Sequence, residues 1–203
     1  RQQVLHHRQT LHEVVLLEHH ADVAPRVAQV GAGQLGEIPS LEQDLAGGVE
    51  ILRLRFETAA GEPVRGIFCR PRDLAGPLPA VLVIHENRGL NPYIEDVARR
   101  VALEGFMAFA PDALFPLGGY PGNEDKAREL FPKLDQAKTR EDFVEASKWR
   151  KGRADSTGKV AAVGFCYGGS IANMLATRLP DLSGAVPFYG GQAKVEDVPN
   201  IKA

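Results

Sequence analysis

Two cysteines in 203 residues are too few for a disulfide framework. No apolar run approaches the ~18–20 residues needed to cross a bilayer. The opening "RQQVLHHRQT" leads into no apolar core with a small-residue cleavage site, so no export signal is expected and the cytoplasm is the expected location. An excess of one charge is missing too. A formal net charge of −2 and a sequence pI of about 6.3 offer no basic field to nucleic acid or to an anionic membrane. What is present is an ordinary globular composition, 44% hydrophobic and 25% charged, at a length that supports one domain with a sizeable core.

The chain divides at about residue 48. Residues 1–48 carry five of the six histidines (His6, His7, His12, His19 and His20) and a short helix-compatible pattern around "LHEVVLLEHH". His12 and His19 or His20 could share a helix face, but no acidic or cysteine ligand completes a metal pattern, and none is expected. "VGAGQLG" fits G-x-G-x-x-G through Gly31, Gly33 and Gly36. It lacks the strand–turn–helix context of a dinucleotide site, so it reads as loop. The expectation is an irregular N-terminal extension, flexible or partly helical.

From residue 49 the pattern alternates strands and helices. "VEILRLRFET" and "VRGIFCRP", joined by "AAGEP", read as a hairpin. Cys69 in its second strand reads as a buried structural thiol. "LPAVLVIHE", "FMAFAPD", "GKVAAVGF" and "SGAVPFYGG" are continuous apolar runs, as expected of strands covered on both faces. Between them lie a helix in "NPYIEDVARRVALEG", a charged helical stretch over "NEDKARELFPKLDQAKTREDFVEASKWRKG" broken at Pro132, and a helix in "CYGGSIANMLATRLP". Such alternation predicts an α/β fold, a mostly parallel doubly wound sheet with right-handed crossovers.

In such sheets the chemistry gathers at the carboxyl ends of the strands. There, "VGFCYGGS" is a G-x-C-x-G form of the nucleophile elbow: Gly164 and Gly168 permit the sharp turn, and Cys166 projects at the N-terminus of the next helix. That position favours negative charge on the sulfur. "IHENRG" ends an earlier strand. Its loop and the residue after the nucleophile are the usual sources of oxyanion-hole donors, which assigns the backbone N–H groups of Asn87 and Tyr167. Glu86 could hold or accept the thiol proton, or stand as a solvated loop acid. His85 reads as a packed strand-end histidine rather than a base.

The stretch from about Val49 to Ala203 resembles the dienelactone hydrolase (carboxymethylenebutenolidase) family, through "VIHENRGLNPYIEDVARRVALEGFMAFAPD", "GGYPGN", "KVAAVGFCYGG" and "AVPFYGG". The resemblance implies an α/β-hydrolase fold with Cys166 as nucleophile and Glu86 as the carboxylate that helps form the thiolate. The implied reaction is hydrolysis of a small ester or lactone through a thioester, with no metal or organic cofactor.

The sequence also departs from the family pattern. The family completes its triad with an aspartate after the next strand and a histidine near the C-terminus. No histidine follows Cys166 here, and neither Asp181 nor Asp197 stands at the expected place. The expectation is therefore a domain lacking its last strands, with an open sheet edge at "SGAVPFYGG" through which it could self-associate. The loop "APDALFPLGGYPGN" lacks the family's substrate-gripping arginine, and Arg88 is the nearest cation by sequence. An inactive hydrolase fragment and a redox-responsive thiol protein stand as alternatives to an active enzyme.

Overall fold

The computed structural model describes the backbone of Ser40–Leu41 and all of residues 48–203. His12, His19 and His20, the "LHEVVLLEHH" pattern and the "VGAGQLG" loop lie outside the described residues. The hairpin forms as the alternation predicts, from β2 (Val49–Glu57) and β3 (Pro63–Pro71) in unbroken antiparallel register from Val49 opposite Pro71 to Glu57 opposite Pro63. Its turn closes through the Glu62 N–H donating to Thr58 Oγ1 at 3.1 Å.

One part of the extension departs from the expected loop. Ser40–Leu41 forms a two-residue strand, β1, antiparallel to β2, with Ser40 opposite Arg53 and Leu41 opposite Leu52. The physical reason lies in β2, whose outer row of N–H and C=O groups would otherwise be unpaired. A two-residue segment can pair with part of that row without carrying a strand-like pattern of its own.

The remaining elements are β4 (Leu78–Ile84), α1 (Pro92–Leu103), β5 (Met107–Pro111), α2 (Glu124–Leu130), α3 (Gln136–Lys151), β6 (Ser156–Phe165), α4 (Tyr167–Arg178) and β7 (Gly184–Phe188). The charged stretch breaks where Pro132 removes a backbone donor, in a 3-10 turn over Phe131–Lys133. The sheet runs β1-β2-β3-β5-β4-β6-β7. Its first four strands pair antiparallel, while β5, β4, β6 and β7 are parallel. All five residues of β5 are buried, which accounts for its unalternating apolar run.

Each face of the sheet packs its own core. On one face Ile94, Ala98 and Ala102 of α1 meet Ile51, Ile67, Cys69, Val83 and Ala108. On the other, α3 and α4 cover Phe56, Leu82, Phe109 and Val160, and Trp149 stacks on Phe56 with ring centroids 4.6 Å apart. No helix among the described residues is long and apolar enough to cross a membrane.

Two features of this topology position the site. The chain enters the parallel sheet at β4, goes to β5 on one side, then crosses to β6 and β7 on the other. The β4–β6 crevice is therefore the point where strand order reverses, the place where open α/β sheets bind ligands. The carboxyl ends there are also level: Ile84 lies opposite Gly164, and Phe165 opposite Phe188. The segments beginning at residues 85, 166 and 189 leave the sheet together.

Beyond β6, β7 pairs with no other described strand, and Val186 and Phe188 are about half exposed. The apolar run in "SGAVPFYGG" is that of a two-sided strand, yet among the described residues no strand pairs with its outer edge.

Candidate active site

The elbow is formed. Cys166 has φ +53° and ψ −112°, a strained conformation for a residue with a Cβ, and caps α4 with no side-chain hydrogen bond. Its N–H donates to the Phe188 carbonyl at 3.0 Å, and its carbonyl accepts from the Ser170 N–H at 3.1 Å. These bonds hold the turn between β7 and the first turn of α4.

The flanking glycines are there because backbone meets backbone. A Cβ on Gly164 would sit 2.0 Å from the Gly168 carbonyl oxygen, and one on Gly168 would sit 2.2 Å from the Ile84 oxygen and 2.8 Å from that of His85. Close contact between α4 and the end of β4 is therefore what brings the loop carrying Glu86 and Asn87 to the elbow. The two thiols differ as their settings dictate. Cys166 is half-buried at this turn, whereas Cys69 is fully buried, and burial pushes its thiol up to about 12.

Tyr189 is not among the residues singled out by the motifs. Its hydroxyl donates to Glu86 Oε1 at 2.5 Å across 103 residues of chain. Tyr189 has φ +39°, and Gly169 and Gly190 fix the approach: a Cβ on Gly190 would lie 2.3 Å from the Gly169 carbonyl carbon. The hydrogen bond to Glu86, some desolvation, and the charges of Glu86 and Cys166 together raise the Tyr189 phenol to about 12. One signal could have found it: an aromatic with a polar tip at the carboxyl end of a parallel strand, followed by Gly-Gly, in "PFYGG". Below it Phe165 and Phe188 stack with centroids 5.1 Å apart, and Tyr93 meets Phe165 edge-on at 6.3 Å. One side of the crevice is thus aromatic.

Asn87 follows Glu86 in the segment after β4, and Tyr167 is the first residue of α4. The Tyr167 side chain turns away from the sulfur, edge-on to Phe131 at 4.7 Å, and burial raises its phenol to about 12. What Tyr167 can offer the sulfur side is its backbone N–H. Arg88 pairs with Glu124 of α2 at 2.9 Å, an exposed bridge of the kind worth about 0–1 kcal/mol and readily exchanged for another anion. Asp181 pairs with Lys151, and Asp197 lies in the 3-10 turn over Val195–Asn200; neither touches the elbow.

His85 is the only histidine among residues 48–203. It is fully buried: Nε2 accepts the Ala113 N–H at 3.0 Å, and Nδ1 lies 2.5 Å from the Glu86 carbonyl oxygen. With both nitrogens engaged it is no base for Cys166. Among the described residues no group of three or more His, Cys, Asp or Glu could hold a metal ion.

Comparison with known proteins identifies the family. The dienelactone hydrolase family model matches residues 64–203. The chain is 62% identical over 72 residues to the Escherichia coli K12 protein named "Putative hydrolase fragment YghX", an alignment covering 36% of this chain and 62% of that protein. It is 32% identical over 133 residues to a Yersinia pestis protein named "Putative carboxymethylenebutenolidase", covering 64% of this chain and 50% of that one. This chain thus spans about half to two thirds of the length of these relatives. Among solved structures, a dienelactone hydrolase-like promiscuous phosphotriesterase from metagenomic libraries superposes with a TM-score of 0.61 at 28% identity, over 77% of this chain and 66% of that one. The match runs from the second strand of the hairpin through the elbow and past the Tyr189 strand, and the chain belongs to the dienelactone hydrolase family.

Proposed function

We propose that this chain carries the nucleophilic half of a cysteine hydrolase acting on small esters or lactones. The observation that supports it best is Cys166 in a strained elbow at the strand-order reversal, packed against the loop that carries Glu86. In the first step the Cys166 thiol proton passes to Glu86 and the sulfur attacks the carbonyl carbon. A C–S bond forms, the ester C–O bond breaks, and the leaving oxygen takes up the proton. Water then attacks the thioester, returning the thiol and releasing a carboxylic acid. The Asn87 and Tyr167 N–H groups would face the oxyanion of each tetrahedral intermediate. Membership of the family points to an ester or lactone as substrate, and Arg88 is the cation best placed by sequence to meet an anionic one.

Nitrophenyl acetate tests this reading. Nitrophenol release by the chain is expected to vanish after prior alkylation with limiting iodoacetamide, with the alkyl group mapping to Cys166 and not to buried Cys69. Release that survives alkylation of Cys166 would contradict the proposal.

Tyr189 enters the same scheme by holding one oxygen of Glu86 and leaving the other to exchange a proton with the thiol. A hydrogen bond to a charged group is worth about 1.5–3 kcal/mol, so Tyr189→Phe is expected to slow acylation by about tenfold. The side chain is largely exposed, and folding stability should change by no more than about 0.5 kcal/mol. The sign of the pH dependence follows from the raised phenol. Because Tyr189 keeps its proton up to about 12, the advantage of wild type over Tyr189→Phe should persist past about pH 10, where an ordinary tyrosine is half ionised. A ratio that collapses at or below that pH would show that the Glu86 contact is not made in solution.

A further inference from the structure

We infer that His85 is a positioning residue that holds the Glu86–Asn87 peptide in the orientation the oxyanion hole requires, acting as a neutral imidazole with its proton on Nδ1. The inference rests on the proposal that the Asn87 N–H is an oxyanion donor.

The tautomer follows from the two partners. The Ala113 N–H can only donate, so Nε2 must present its lone pair. The Glu86 carbonyl oxygen can only accept, so Nδ1 must carry the hydrogen. Imidazolium does not fit, because its Nε2–H would face the Ala113 N–H. Burial opposes the charged form and lowers the His85 pKa, against the carboxylates of Asp112 and Glu86, which would raise it. Among the described residues, those two carboxylates are the charged groups that bear on the ring.

The consequence for the site comes from peptide planarity. The carbonyl of Glu86 and the N–H of Asn87 belong to one trans peptide unit, in which they point in opposite directions. Fixing the carbonyl therefore fixes the N–H. His85 Nδ1 takes the carbonyl at 2.5 Å, and the Gly89 N–H reaches it only weakly, at 3.4 Å. The imidazole also bridges two loops, since Ala113 follows β5 while Glu86 follows β4. It thereby anchors a loop that could otherwise rotate its peptide plane.

Two conservative variants separate the two bonds. Glutamine places an amide near the Nε2 position, so His85→Gln can keep the bond from Ala113 but loses the donor to Glu86. Asparagine places its amide nitrogen near Nδ1, so His85→Asn keeps that donor. With nitrophenyl acetate, His85→Gln is expected to slow acylation of Cys166 by about 10²-fold, the loss seen when one oxyanion donor is removed, and His85→Asn should recover most of it. Alkylation by iodoacetamide, which builds no oxyanion, should proceed at the wild-type rate in both variants. Equal acylation by Gln and Asn variants, or alkylation falling in step with acylation, would overturn the positioning role. NMR of the ring and amide nitrogens judges the inference without any turnover. The wild type should show protonated Nδ1 and bare Nε2, and the Asn87 amide resonance should move in His85→Gln but hold in His85→Asn. An Nε2–H tautomer, or an Asn87 amide indifferent to both changes, would refute it. A wild-type chain that passes the NMR test yet never acylates Cys166 would instead refute the ester-hydrolase reading and leave the latch standing.

Discussion

Nitrophenyl acetate is expected to acylate Cys166 in a single burst, followed by turnover too slow to sustain, and Cys166→Ala is expected to abolish the burst. Acylation needs a nucleophile, a proton acceptor and oxyanion donors, and the proposed site assigns all three to Cys166, Glu86 and the Asn87 and Tyr167 N–H groups. Deacylation needs a base to activate water. Among residues 48–203 the one histidine has both ring nitrogens bound, and a carboxylate is a weaker base toward water than an imidazole. General-base catalysis contributes about 10²–10⁴-fold, so the thioester should outlive its formation by a comparable factor. His6, His7, His12, His19 and His20 lie outside the described residues. Sustained turnover that is lost in Cys166→Ala would mean that one of them, or another group, supplies the base. A burst of unchanged size in Cys166→Ala would place the nucleophile elsewhere.

Replacing Gly168 by alanine is expected to damage both the fold and the site severely. The added carbon would meet the Ile84 oxygen at 2.2 Å, the Ile84 carbonyl carbon at 2.7 Å and the His85 oxygen at 2.8 Å. All three are backbone atoms, so no side chain can swing aside. Either α4 or the end of β4 must move, and overpacking of this kind costs about 3 kcal/mol or more. At about 2–4 °C per kcal/mol for a chain of this size, the melting temperature should fall by about 6–12 °C. The shift would also separate Glu86 and Asn87 from Cys166, so acylation should fail even below the melting transition. Gly152 supplies the control. It caps α3 at φ −78°, its nearest Cβ neighbour is a carbonyl oxygen at 3.6 Å, and alanine there should be neutral or slightly stabilising. A Gly168→Ala chain as stable as the Gly152→Ala chain would mean that α4 does not pack on β4 as described.

The parts that were legible in the sequence share a cause: each is fixed by local chemistry. Apolar runs such as "LPAVLVIHE" and "FMAFAPD" have to be two-sided strands, Pro132 has to interrupt a helix, and Gly164-x-Cys166-x-Gly168 has to turn where backbones touch. The alternation of those elements then dictated the parallel half of the sheet. What escaped was set by contacts distant in sequence. Tyr189 reaches Glu86 only because the ends of β4, β6 and β7 are level, a fact of register that no short pattern contains. The pairing of Arg88 with Glu124 depends on where α2 begins relative to the Glu86 loop. His85 was legible as a packed histidine, but not its two partners. β1 was invisible because two residues of strand need no pattern of their own when β2 offers an unpaired row.

The claim on which the rest depends is that Cys166 is the nucleophile. The direct measurement is to mix the chain with nitrophenyl acetate, quench in acid within the burst, digest at low pH and locate the acetyl group by mass spectrometry. A base-labile thioester is expected on the peptide containing Cys166, absent from Cys166→Ala and diminished in Tyr189→Phe. An acetyl group found instead on Cys69, a lysine or Ser170, with the Cys166 peptide unmodified, would contradict it.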